Sequence, residues 1–208
     1  MKIVNPSVVI LDSIDGEEMV RKIEAAGRTC YKSEAKITTD SANNFINNII
    51  KRGHESVLEH EKISVRIICD RGVTHELVRH RIASYSQEST RYVDYKKGIE
   101  VIKPCFWEEG SKELKKWKNC MRFLEVNYIK MRESGALPQE ARSILPNSLK
   151  TEIVCTMNLR EWRHFFKLRC VKAAHPQMRE LSYMILEKFV STIPIVFDDI
   201  IESLKTEK

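Results

Sequence analysis

The six cysteines stand at least 15 residues apart. That spacing excludes a CxxC metal knuckle and a paired-thiol redox motif, so the thiols are expected as reduced core residues. Glycine is sparse, 7 in 208 residues, and nowhere forms GxGxxG or GxxxxGK[ST], while no serine sits in GxSxG. The dinucleotide, P-loop and common hydrolase signatures are therefore missing, and any bound phosphate must be held by side chains. The opening MKIVNPSVVILDSIDGEE has one lysine and a four-residue apolar run that ends at Asp12. It is too short for a secretory segment or a membrane span, which leads to the expectation of a cytoplasmic protein with no membrane partner. Without a Gly/Ser/Pro-rich tract, a low-complexity run or a repeat, residues 1–208 are expected as a single domain.

What is present fits a globular chain: 42% hydrophobic and 31% charged residues, with a net charge of +6. The basic residues are scattered, so a phosphate-bearing small molecule accounts for the excess as well as nucleic acid does. KIVNPSVVIL reads as an edge strand interrupted by Pro6, followed by a helix from about Asp15 carrying Val20, Ile23 and Ala26. TTDSANNFINNIIKRG reads as a second helix that stops at Gly53. EKISVRIICD and KTEIVCTMN have the look of strands, and a helix ending in an arginine cluster should follow the first. In SKELKKWKNCMRFLEVNYIKMRESG, Leu114, Trp117, Met121, Leu124 and Tyr128 share one helical stripe, with the stop at Gly135. Strands and long helices mix without a βαβ rhythm, which favours α+β with a mixed or antiparallel sheet.

Two segments imitate a zinc-protease helix, HESVLEH and THELVRH. Their histidines are six (His54, His60) and five (His75, His80) residues apart, rotated by about 240° and 140° rather than sharing a face. No metal site is expected. More telling is RHRIASYSQESTRY, Arg79 to Tyr92, where four arginines or histidines crowd with Ser84, Ser86, Ser89 and Thr90. Arginine suits phosphate because its planar fork pairs bidentately and keeps its charge. In NLREWRHFFKLR, Asn158 offers an N-cap, Glu161 completes an Asn-x-x-Glu capping box, and Trp162, Phe165 and Arg169 fall on one face. An apolar helix face thus ends in a guanidinium.

Arg79, His80 and Arg81, followed after seven residues by Ser89 and then Arg91 and Tyr92, resemble the signature of the flavin-dependent thymidylate synthases. GRTCYKS near residue 30, HESVLEH at 54, ARSILP at 141, MNLREWRHFFKLR at 157 and HPQMREL at 175 extend the resemblance over most of the chain. It implies reductive methylation of dUMP to dTMP, with 5,10-methylenetetrahydrofolate as carbon donor and NADPH-reduced FAD as hydride carrier. It also implies that family's fold and a homotetramer whose active sites are shared between subunits. By the same resemblance, His54, Ser56, Arg79, His80, Arg81, Gln87, Asn158, Arg160 and His164 contact FAD. Glu76, Arg79, Gln87, Glu88, Ser89, Arg91, Arg142 and Arg169 surround dUMP. Glu76 stands where some relatives have glutamine, and Cys30 where some have serine. Arg169 takes the catalytic role of stabilising charge on the pyrimidine, and no cysteine acts as nucleophile, since none sits in a cationic setting that would lower its pKa. Two other readings stay open: a nucleotide or nucleic-acid binding module without catalysis, and an inactive structural homologue. Colour separates the first, since an FAD protein purifies yellow.

Overall fold

Every second residue of Lys62–Asp70 (β3) is apolar, and Ile153, Cys155 and Met157 alternate likewise in Lys150–Asn158 (β6), so each strand has one face to bury. In the computed structural model, which describes residues 1–206, the two strands pair antiparallel. Ile63 lies opposite Met157, Val65 opposite Cys155 and Ile67 opposite Ile153, which puts both apolar sets on the same side. Ser7–Ile10 (β2) adds to the free edge of β3 and Ala83–Gln87 (β4) to that of β6, giving the antiparallel order β2-β3-β6-β4. A separate parallel pair joins Lys2–Val4 (β1) to Glu100–Ile102 (β5). Pro6 therefore does more than interrupt one edge strand: it divides the segment between two sheets, because it cannot donate to a ladder.

The helices follow in chain order: Gly16–Thr29 (α1), Ser41–Lys51 (α2), Arg71–Leu77 (α3), Lys112–Glu133 (α4), Pro138–Ala141 (α5), Leu159–Arg169 (α6), Pro176–Thr192 (α7) and Pro194–Thr206 (α8). Six of them, α1, α2, α3, α6, α7 and α8, join the apolar face of the four-stranded sheet in one large core. A smaller core gathers Ile99, Val101, Leu149 and the α4 stripe of Leu114, Trp117 and Met121. The expected stops hold: Gly53 ends α2 with a φ of 70°, a left-handed conformation that glycine adopts without strain. The architecture is α+β with a largely antiparallel sheet, as the strand and helix patterns lead one to expect. No helix among the described residues is long and apolar enough to cross a membrane.

One expectation needs correcting, and one element was not anticipated. All six cysteines are free, but Cys30, Cys105 and Cys120 are exposed, and only Cys69, Cys155 and Cys170 belong to the core. The segment after Arg81 is a strand, β4, with Ala83, Tyr85 and Gln87 turned inward and serines outward.

Candidate active site

Helix α6 is the platform. Its inner face inserts Trp162, Phe165 and Phe166, all fully buried, against Phe189 and Phe197, with ring centroids between 5.1 and 5.8 Å apart for Trp162 and its neighbours. Trp162 Nε1 donates to the Ile63 carbonyl at 3.0 Å, tying the helix to β3. Asn158 caps the first turn, its Oδ1 accepting from the Glu161 N–H at 2.8 Å, which leaves Nδ2 for a ligand. The capping box closes on one side only. The Glu161 carboxylate turns away and lies 3.2 Å from His80 Nδ1.

His80 Nε2 accepts from Arg169 Nε at 3.1 Å, and Arg169 Nη1 pairs with Glu76 Oε2 at 3.1 Å. Glu161, His80, Arg169 and Glu76 thus form one continuous chain alongside α6, from its first turn to its last residue. Burial, then the Arg169 guanidinium and His164, hold the buried His80 imidazole down to about 4, so it is neutral near pH 7. Arginine has donors only, so Nε2 must be the acceptor and the single imidazole proton lies on Nδ1, toward Glu161. Burial raises the Glu161 carboxyl, with His164 and Arg160 opposing. His80, Glu161 and His164 place ligand atoms within 4.8 Å of one another. A cation on Nδ1 would move the proton to Nε2, against the Arg169 N–H, so the polarity of this chain disfavours a metal there.

The loop bearing Arg79 and Arg81 is pinned by Tyr85, whose hydroxyl lies 2.8 Å from the carbonyls of both Leu77 and His80. Arg79 and Arg81 are exposed on it, Arg79 Nε donating to the His75 carbonyl at 3.3 Å. The 3-10 turn Glu55–His60 contributes residues to two clefts. His54 and Ser56 line the larger, about 920 Å³, together with Cys30, Arg28 and Arg52. Asn158, Arg160 and His164 line the smaller, about 400 Å³, with Glu55 and Glu59. Arg160 Nη1 is paired with Glu59 at 2.5 Å.

The other residues assigned to dUMP, Arg91 and Arg142 for its phosphate among them, lie elsewhere. Gln87, opposite Ile153, donates to Thr74 and Thr151. Glu88 is held by the Tyr95 hydroxyl at 2.6 Å and Lys150 at 3.1 Å, so its carboxylate is already engaged. Ser89 Oγ accepts from the Arg91 N–H, Arg91 lies over the Tyr92 ring, and Arg142 Nη1 reaches Thr90 Oγ1 at 3.5 Å. Ile153 and Asn158 are five positions apart on β6, about 17 Å. Within one chain, the Arg91 and Arg142 group and the Asn158 group therefore stand at opposite ends of the sheet.

Sequence reasoning missed several groups. Arg163 is among the most buried residues, 1% exposed, and pairs with Asp199 at 2.7 Å and Glu55 at 3.1 Å. Tyr85, inside the Arg79–Tyr92 stretch but not one of its signature residues, and Tyr95 and Lys150, outside the functional motifs, position candidate ligands. The alternation of Ala83, Tyr85 and Gln87 was the available signal for the first of these.

Fold and site together describe an α+β protein equipped to hold anionic ligands on side chains rather than on a glycine-rich loop. Residues 11–195 match the family described as Thymidylate synthase complementing protein. Proteins named flavin-dependent thymidylate synthase are similar over most of their length. That of Geobacter sulfurreducens is 35% identical over 85% of this chain and 80% of its own. That of Mycobacterium sp. strain JLS is 37% identical over 89% and 81%. That of Pyrococcus horikoshii is 43% identical over 74% and 65%. The chain belongs to the flavin-dependent thymidylate synthase family. Its fold is shared with a UMP/dUMP methylase, PolB from Streptomyces cacaoi, solved with 5-Br dUMP. The TM-score is 0.80 at 20% identity, covering 95% of this chain and 96% of that one.

Proposed function

We propose that this enzyme converts dUMP to dTMP by reductive methylation, with 5,10-methylenetetrahydrofolate as carbon donor and FAD, reduced by NADPH, as the bound cofactor. The observation that carries the reading is Arg169, fixed at the end of a buried helix by His80 and Glu76. As uracil C5 becomes nucleophilic, negative charge gathers on the ring oxygens, and a fixed guanidinium donor stabilises it without reorganising. Glu76 beside it is an acceptor, so the pair offers a donor and an acceptor side by side, matching a uracil carbonyl oxygen and its N3–H. Arg91 and Arg142 would clamp the phosphate, with Gln87, Glu88 and Ser89 around the sugar.

The residues fit a flavin dinucleotide. Arg79 and Arg81 present guanidiniums for a diphosphate, and Asn158 keeps its Nδ2 free of the cap. His54 and Ser56 face the cleft of about 920 Å³, and Arg160 and His164 the other. When bound, the reduced flavin supplies the hydride. A thiolate route has little support: burial pushes Cys155 and Cys170 up to about 12. Burial and Glu180 also raise the exposed Cys105. The homotetramer of single-domain chains is carried over from the family resemblance, and the separation of the phosphate arginines from Asn158 is consistent with each site drawing on more than one subunit.

The test is anaerobic dTMP formation from dUMP, methylenetetrahydrofolate and NADPH, with and without FAD. Activity should need FAD, and Arg169→Ala should lower kcat by about 10²–10³. A colourless protein that forms no dTMP with added FAD would reject the proposal.

A further inference from the structure

Glu161 is the third residue of α6, where a carboxylate ordinarily returns to the cap N–H. It is diverted instead to His80, 81 positions away, with the two side chains 9% and 3% exposed. Arg169, eight residues further along the same helix, reaches the same imidazole from the other side. His80 is therefore a bridge between two residues of one helix, about 12 Å apart along its axis. Its ring is held edge-on by Phe165, at 5.0 Å between centroids, and by His164, at 5.9 Å. Tyr85 fixes its backbone carbonyl. A flip that exchanged its two nitrogens would lose both partners.

We infer that Glu161 is a positioning residue: by accepting a hydrogen bond from His80 Nδ1–H, it fixes the tautomer whose Nε2 accepts from Arg169, and so aims the guanidinium at the substrate. A neutral imidazole has one proton. If it moved to Nε2, two N–H groups would face each other and Arg169 would be released toward Glu76 alone. The groups facing His80 are Glu161, His164 and Arg169, with Glu76 beyond Arg169, and the lowered pKa of His80 keeps its imidazole neutral near pH 7. Orientation of a catalytic group through the tautomer of its neighbour is a known use of a buried carboxylate. The inference rests on the proposed function only for what Arg169 does, not for the hydrogen-bond chain.

Long-range 1H–15N NMR of histidine-labelled protein tests the chain directly, the His80 signals being assigned by their loss in His80→Gln. The expected result is a proton on Nδ1 and a bare Nε2 in the parent protein at neutral pH. Glu161→Gln, whose amide can donate as well as accept, should shift that population toward Nε2–H. A parent protein with the proton on Nε2 overturns the inference. In turnover, Glu161→Met should lower kcat about 10- to 100-fold, the range for partners that orient a ligand. In an Arg169→Ala background the same change should cost less than about twofold, because the partner it positions is gone. Equal losses in both backgrounds overturn the inference, since Glu161 would then act independently of Arg169. Absence of dTMP formation in the parent rejects the proposed reaction instead, and the NMR result then decides the hydrogen-bond chain alone.

Discussion

Acid should cost this protein stability through His80, and the amount can be worked from the structure. The imidazole is buried and accepts from Arg169, so protonating Nε2 would break that bond and set two cations together. Its pKa falls from 6.5 to about 4 in the folded chain, burial being the larger cause and Arg169 the next. Between those values the unfolded chain binds the proton and the folded chain does not. Stability is therefore full above pH 6.5, falls as the pH drops through the window, and stops falling below about 4. Integrating the two titrations from pH 7 to pH 4.5 gives a loss of about 2 kcal/mol from this one side chain. Glu161 and Asp70, whose carboxyls burial raises, act with the opposite sign, so the total curve is not diagnostic. The difference from His80→Gln is. Urea unfolding of both proteins at pH 7 and pH 4.5 should show the parent losing about 2 kcal/mol more than the variant. Losses equal within about 0.5 kcal/mol would show that His80 is not held neutral by its surroundings.

Arg163→Met should destabilise by about 3 kcal/mol, because it leaves Glu55 and Asp199 without their buried partner; a loss below about 1 kcal/mol in urea unfolding refutes that account. Arg91→Ala and Arg142→Ala should weaken dUMP binding about tenfold or more while leaving deoxyuridine, which lacks the phosphate, nearly unchanged in a calorimetric titration. Equal losses for both ligands would remove these arginines from the phosphate. Cys30→Ala, Cys105→Ala and Cys120→Ala, the three exposed thiols, should each keep dTMP formation within about twofold, and a folded, FAD-loaded variant slowed about a thousandfold would restore a thiolate mechanism.

The parts of the fold that were legible are those where burial imposes a period. Ile63, Val65 and Ile67 alternate because one side of β3 faces the helices, and Leu114, Trp117, Met121 and Tyr128 recur at helical spacing because α4 covers a core. The same reasoning failed for β4, an outer strand whose outward positions are serines and whose inward ones include a single large apolar side chain, Tyr85. Hydroxyls leave almost no periodic trace, so the chemistry of the segment was visible and its shape was not. Cysteine misled in a related way. Composition makes it a small hydrophobe, but Cys30, Cys105 and Cys120 fall at a helix end, a loop and an outer helix face, where burial was not dictated by any neighbouring pattern.

The candidate site divides along a different line. Arg169 could be picked out because its helix explains itself locally: a cap at Asn158, an apolar face at Trp162 and Phe165, and a guanidinium where that face ends. Glu161 was hidden by the same local logic, since Asn-x-x-Glu accounts for a glutamate at that position without any distant partner. Arg163 was hidden because a third arginine in a basic helix looks like solvated surface, although its partners Glu55 and Asp199 lie 108 and 36 positions away. Local pattern fixes which way a side chain points; what it meets depends on loop closures that carry no period. A charge inside a helix becomes informative about mechanism only when its counter-group is known, and for Glu161 that group, His80, stands on a loop between α3 and β4 that spacing alone leaves unplaced.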